Sequence, residues 1–348
     1  MNRRAALLFA GLSIAWGIPY LLIKISVDEI SPLALVLFRT ALGALLLLPL
    51  AFARGAIWPV LRRWRVVVLY TAVEISVPWW LLSHAETRLS SSLSGLMIAT
   101  VPLAGIGVGM LTRRRERLGL AGVAGLALGL LGVAFLVGVD VGGSDLFAVA
   151  ELVVVVICYA FGAALMGHHL GDLPTIGVVA VSLSAAAVAY LPLSLVLPGS
   201  LPAAVPSAEV VVSVLLLAVV STAGAFLLMF GLVAELGPVR ATTFTYVNPA
   251  VAIVAGAVVL HEPITPATGV GFVLVLLGSV LVTSRPRSLA AQVVAPGVVA
   301  PDVVAVPGPT ISGTTILGPS TEPVLQPLER AEARIPLQAS CGSSAEAG

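Results

Sequence analysis

The chain has 348 residues, 59% of them hydrophobic and only 10% charged, with a mean hydropathy of +1.09. A water-soluble domain carries about a quarter charged residues, so this composition excludes an ordinary soluble globular protein and points to lipid as the solvent. Eighteen basic against seventeen acidic residues leave a net charge of +1, which argues against nucleic acid held on a basic face, and two cysteines make neither a disulfide framework nor a metal set.

Apolar runs of about 20 residues, enough for a helix to cross hydrocarbon, lie near 5–25, 31–53, 66–83, 93–112, 118–138, 146–166, 174–197, 209–232, 240–260 and 266–283. They are expected to be helices, because a lone strand would leave its backbone groups unpaired in lipid. The first run continues to Ile25 behind Arg3 and Arg4 and is expected to span rather than to be cleaved as a signal. With the amino terminus inside, the cytoplasmic connections hold thirteen basic residues: Arg3, Arg4, Arg54, Arg62, Arg63, Arg65, Arg113, Arg114, Arg115, Arg117, Arg240, Arg285 and Arg287. Only Lys24 and Arg88 fall on the opposite side. That bias predicts a multi-pass protein of the plasma or inner membrane with both termini cytoplasmic. From Ser284 the helical period stops, and 285–348 reads as a disordered cytoplasmic tail.

The chain also repeats itself. Ser31-Pro32 recurs as Leu173-Pro174, Leu48-Pro49-Leu50 as Leu191-Pro192-Leu193, Val101-Pro102-Leu103 as Asn248-Pro249-Ala250, and Glu116 as Glu262, all at nearly one offset. Two halves, 5–138 and 145–284, then hold five spans each. An odd number makes the second half enter from the opposite face. The fold class expected is an all-α polytopic membrane protein, ten transmembrane helices arranged as two inverted five-helix repeats. Such halves support two states of similar energy with a substrate site between them near mid-bilayer.

Particular residues carry a likeness. Ala15-Trp16-Gly17-Ile18-Pro19-Tyr20, then Lys24, Ser31-Pro32 and Phe38-Arg39, resemble the opening of EamA-type carriers of the drug/metabolite transporter superfamily. Leu236-Gly237-Pro238-Val239-Arg240-Ala241-Thr242, through Tyr246-Val247-Asn248-Pro249 to Leu260-His261-Glu262-Pro263, resembles the ninth span of that family and its exit. Ser90 through Pro102 to Glu116 is a looser first-half counterpart. The resemblance covers about 5–284 and implies a ten-helix exporter or exchanger of metabolites, amino acids or drugs that works by alternating access. Cys158-Tyr159-Ala160 in the sixth span, and Glu74, Trp79 and Trp80 in the third, depart from the general pattern.

Glu74 falls nine residues after Arg65, roughly 14 Å into the membrane. An ionisable group at that depth marks function unless it is paired, and the structural alternative is an ion pair with Arg39. Solvated in one state and desolvated in the other, Glu74 could carry a proton. Trp16, Tyr20, Glu74, Trp79, Tyr246 and Asn248 are the candidate cavity residues, and Glu74, Arg39 and Glu151 the candidate coupling or gating residues. Glu151 has a second explanation, a carboxylate reaching for the interface, and Lys24 and Arg88 read as interfacial anchors. Glu116 and Glu262 are expected to favour the amino termini of the fifth and tenth spans. Gly105-Ile106-Gly107-Val108-Gly109 reads as close helix packing rather than a dinucleotide fingerprint. Adjacent His168 and His169 point in different directions on a helix, so no metal site is expected.

The function expected is therefore secondary transport of a small solute, with proton or counter-substrate coupling, no cofactor, and the lipid bilayer as surroundings. Homodimerisation stays open. No enzyme is expected: Ser92-Leu93-Ser94-Gly95 lacks a base partner, and His261-Glu262-Pro263 lacks the second histidine of a zinc motif. The alternatives are a membrane-embedded enzyme and a lipid-binding scaffold without transport.

Overall fold

A computed structural model describes residues 2–111, 120–140, 145–237 and 241–283. Among these residues no strand occurs, and seven apolar helices are long enough to cross a bilayer. They are α1 (Arg3–Val27), α2 (Pro32–Ala53), α3 (Trp64–Ala85), α4 (Ser91–Gly109), α6 (Leu146–Leu170), α7 (Thr175–Val196) and α8 (Ala208–Leu236). Three further apolar helices, α5 (Leu120–Asp140), α9 (Thr243–Val259) and α10 (Pro266–Thr283), stand where the remaining runs were expected. Glu116, Arg113–Arg117, Arg240 and the tail from Ser284 lie outside the described residues.

Local chemistry sets several starts. Asn2 caps α1 through Ala5 N–H at 2.7 Å, Ser31 caps α2 with Pro32 in the first turn, and Ser207 caps α8. Outward faces stay apolar: Leu7, Leu45, Val188, Leu195 and Val258 are 66–71% exposed. In a bundle this long, such a surface fits lipid rather than water. The chain is a multi-pass membrane protein.

Regular helix fails at matched places. Both α3 and α8 widen into a π turn, at Thr71–Ser76 and Val219–Gly224. Both α4 and α9 break one residue before a proline, so that regular helix resumes at Val101 before Pro102 and at Asn248 before Pro249. Pro49 and Pro192 lie near the ends of α2 and α7. The helices pack α1 on α8, α3 on α6, α2 on α7, α4 on α9 and α5 on α10. This pattern is unchanged when each helix is exchanged for the one five places along.

Hydrogen bonds sort the connections between two ends of the bundle. At the amino-terminal end Asn2 and Arg4 meet Glu235 at 3.0 and 3.1 Å, and Arg63 grips Asp172 through two bonds of 2.6 Å. At the far end Lys24 Nζ donates to Glu86 O at 2.7 Å, Ser31 Oγ to Ser200 O at 2.5 Å, and Ser207 N–H to Glu29 Oε2 at 2.7 Å. The start of α6 also lies at the far end, where Glu151 meets His84 and Arg88.

Two packing expectations change. Among the described residues nothing lies within 4 Å of a Cβ placed on Gly107 or Gly109, where close helix packing was expected. The close approach falls instead between α5 and α10, where a Cβ on Gly278 would stand 2.6–2.8 Å from the backbone of Gly125 and Gly129. Glu262 does not reach the start of α10, which Thr265 caps through Thr268 N–H at 3.1 Å. It crosses to α4 instead.

Candidate functional site

A cavity lies among α1–α4 and α6–α10. Trp16, Tyr20, Glu74, Trp79, Tyr246 and Asn248 all line it, as does Arg39. Glu151 does not. Aromatic rings make up a third of its lining, Tyr70, Tyr159, Phe226 and Phe244 joining the four expected. Trp16 sets its ring edge on Phe226 at 5.7 Å and tilts against Phe244 at 5.1 Å, which ties α1 to α8 and α9.

The two charged groups of the cavity are not paired with each other. Arg39 is 7% exposed, its guanidinium lies 3.8 Å over the Trp79 ring, and its Nε donates to Thr222 Oγ1 at 3.0 Å. Thr222 belongs to the π turn of α8 and Glu74 to that of α3. A π turn carries one extra residue and swings its side chains off the helical register, which brings Glu74 to the cavity and Thr222 to Arg39. Glu74 is 5% exposed, and its Oε2 has no hydrogen-bond partner. That atom fits against Gly162 of α6, where a Cβ would occupy the same space. The expected alternative, a structural Arg39–Glu74 bridge, is therefore absent. Glu74 Oε2 therefore keeps unused bonding capacity at the contact between α3 and α6.

The breaks in α4 and α9 line the same space. Ser279 of α10 donates to Ala99 O at 3.0 Å and so satisfies a carbonyl beside the α4 break. The Asn248 amide, oriented by its neighbours, donates to Ser13 O and Phe244 O at 3.2 and 3.1 Å and bridges the α9 break to α1.

The far end of the cavity is closed by contacts between the halves. Glu262 accepts from Ser91 N–H at 2.7 Å and from Ser92 N–H and Oγ at 3.0 and 2.5 Å. It thus sits on the amino terminus of α4, where free N–H groups and the helix dipole favour a carboxylate. His261 before it takes φ = 55°, a left-handed conformation uncommon outside glycine, and this turn aims Glu262 across the interface. Gly95 packs its backbone against Ala252 and Tyr20, and Gly256 packs against Ser91 and Ser92. Beside this closure Glu151, 6% exposed, accepts from His84 Nδ1 at 2.6 Å and Arg88 at 3.0 Å. Lys24 and Glu151 thus each have a protein partner at this end.

Outside the spans, hydrogen bonds set the acidity of two carboxylates. Arg63 holds the Asp172 carboxyl below the usual range, and the Ser207 hydroxyl and N–H do the same for Glu29.

Comparison with known proteins then decides the family. The description of the EamA-like transporter family matches the chain twice, over residues 3–138 and 146–284. The chain belongs to the EamA-like transporter family. This EamA-family chain is 31% identical over 304 residues to the uncharacterized inner membrane transporter YedA of Escherichia coli K12, covering 83% of the chain and 94% of the relative. It is 26% identical over 292 residues to the uncharacterized transporter YvbV of Bacillus subtilis, covering 84% and 95%. A crystal structure 18% identical shares the fold with a TM-score of 0.58, covering 81% of this chain and 96% of that one.

The sequence did not single out Thr222, Tyr70, Phe226, Phe244 or Glu86. Thr222 stands out only once the π turn rotates it, and Glu86 falls beyond the third run, 66–83.

Proposed function

We propose that this membrane transporter moves a small organic solute by alternating access, using ten helices arranged as two inverted halves, 5–138 and 145–284. One observation carries the reading: a cavity rich in aromatic side chains is lined by both halves and bordered at one end by a contact that crosses between them. The inverted arrangement draws support from the start of α6 at the end opposite to the start of α1, and from π turns and proline breaks at matched places. The charge bias of the connections supports a cytoplasmic amino-terminal end in a plasma- or inner-membrane protein. The Glu262 contact then closes the outer side.

In this reading Trp16, Tyr20, Trp79, Tyr246 and Asn248 form the solute pocket. Arg39 meets an acceptor on the solute, because its Trp79 and Thr222 contacts fix the guanidinium plane and leave its terminal nitrogens free. Glu74 is the coupling group, exchanging a proton or sensing a counter-substrate. Glu151 acts as an outer brace between α3 and α6. The π turns and proline breaks supply the deformable points that alternating access needs.

Solute flux in proteoliposomes tests the proposal, with solutes first screened by thermal shift over amino acids, nucleosides and cationic drugs. Saturable flux, lost when Arg39→Ala and Glu74→Gln are combined, is the expected result. Chemical conversion of a solute, or silence toward every solute that raises the melting temperature, would overturn it.

A further inference from the structure

Glu86 has no place in the scheme above, yet its setting is unusual. It caps the end of α3 and is fully buried, and neither carboxyl oxygen has a hydrogen-bond partner. The Lys24 ammonium stands close but donates to the main-chain oxygen of Glu86 rather than to its carboxyl. Ser94 of α4, also fully buried, lies beside the carboxyl with its own Oγ unpartnered.

The remaining ionisable neighbours are Glu262 from the α9–α10 connection, Arg39 from α2 and Tyr20 from α1. Glu262 is engaged with Ser91 and Ser92, and Arg39 is held on Trp79 and Thr222. A carboxylate sealed from water whose oxygens take no hydrogen bond is heavily penalised, whereas a carboxyl that keeps its proton needs only one acceptor. The neighbouring Ser94 hydroxyl, its Oγ unpartnered, can be that acceptor.

We propose that Glu86 is a proton-binding site, distinct from Glu74, that fills and empties through the end closed by Glu262. The route rests on the alternating-access reading in one respect, that α4 and α9 part there. Ser94 stands on the same helical segment, Ser91–Ile98, whose first N–H groups hold Glu262. Parting carries Ser94 away from Glu86 and admits water. The carboxyl O–H bond then breaks, the proton passes to water, and the carboxylate keeps the electron pair beside the Lys24 ammonium. Closing reverses each step.

Infrared spectroscopy of the full chain in lipid vesicles, following the C=O stretch of protonated carboxyl groups, tests this without any solute. Glu86→Gln is expected to remove one such band that Glu74→Gln leaves in place. Ser94→Ala is expected to move the same band to higher frequency, because the carboxyl loses its hydrogen-bond partner. Glu262→Gln is expected to speed deuterium exchange of the band on the order of tenfold, the factor set by losing about one charge-assisted hydrogen bond. An unchanged protonated-carboxyl region in Glu86→Gln overturns the site. Should that variant not fold, an unmoved spectrum in Ser94→Ala overturns it equally. Unchanged exchange in Glu262→Gln overturns the route. Absence of solute flux from the wild type in the same vesicles would count against the transport reading alone and leave the band assignment standing.

Discussion

At the scale of single residues, the cavity depends on charged groups whose contacts fix their position and leave capacity over. Arg39 shows this most clearly. Lysine in its place keeps the charge but loses both the planar stack on Trp79 and the bond to Thr222. Arg39→Lys is therefore expected to weaken solute binding by about tenfold, equivalent to roughly 1.4 kcal/mol, while melting shifts little; an unchanged binding isotherm would refute this. The exposed Arg63–Asp172 pair behaves differently. Its carboxyl titrates below the unfolded value near 3.9, so its contribution is present above that value and fades as pH falls through the folded one. Asp172→Asn is accordingly expected to lower the melting temperature slightly at pH 7, less in high salt and progressively less as pH falls below the unfolded value. A deficit of the same size at pH 7 and in strong acid would show that the carboxylate charge was not responsible.

At the scale of elements, stability rests on helices brought close by missing side chains. Gly278 places α10 against the backbone of Gly125 and Gly129 on α5. Backbone cannot move aside as a flexible side-chain tip can, so Gly278→Ala is expected to destabilise by about 1–3 kcal/mol, read as a lower denaturant midpoint. Replacement of Gly107, whose Cβ would meet nothing among the described residues, is the matching control. The closure between α4 and α9 is a second element-scale device. Glu262→Ala removes the acceptor for Ser91 and Ser92 N–H, a loss of about 1 kcal/mol for a helix amino terminus. The expected consequence is faster labelling by an impermeant maleimide of a cysteine placed at Ser94, in a chain whose own cysteines are replaced. Labelling no faster than in the parent chain would show that Glu262 does not hold this end shut.

At the scale of the whole molecule, the two halves share one cavity and cross-brace each other. Trp16 of α1 lies on Phe226 and Phe244, and Glu262 of the second half grips α4 of the first. Neither half encloses the cavity alone, so separate expression of 1–144 and 145–348 is expected to give no solute binding until the two are combined. Binding by either half in isolation would contradict a shared site. The helix pairing that survives a shift of five places is the arrangement that the proposed exchange of roles between two halves requires.

Much of this was legible in the chain itself. Hydropathy placed the apolar helices to within a few residues, because lipid forces every backbone group into a helix and leaves little choice of structure. The short motifs around Trp16, Arg39 and Asn248 pointed to the family that the comparisons then showed. Intrahelical geometry and long-range contact decided the rest. The π turns at Thr71–Ser76 and Val219–Gly224 have no sequence signature, yet they turn Glu74 and Thr222 inward. The partners of Glu262, Glu151 and Lys24 lie 62 to 171 residues away in the chain, so periodicity within one helix held no trace of them. Composition fixes which solvent a segment meets, but which charge meets which depends on how helices pack.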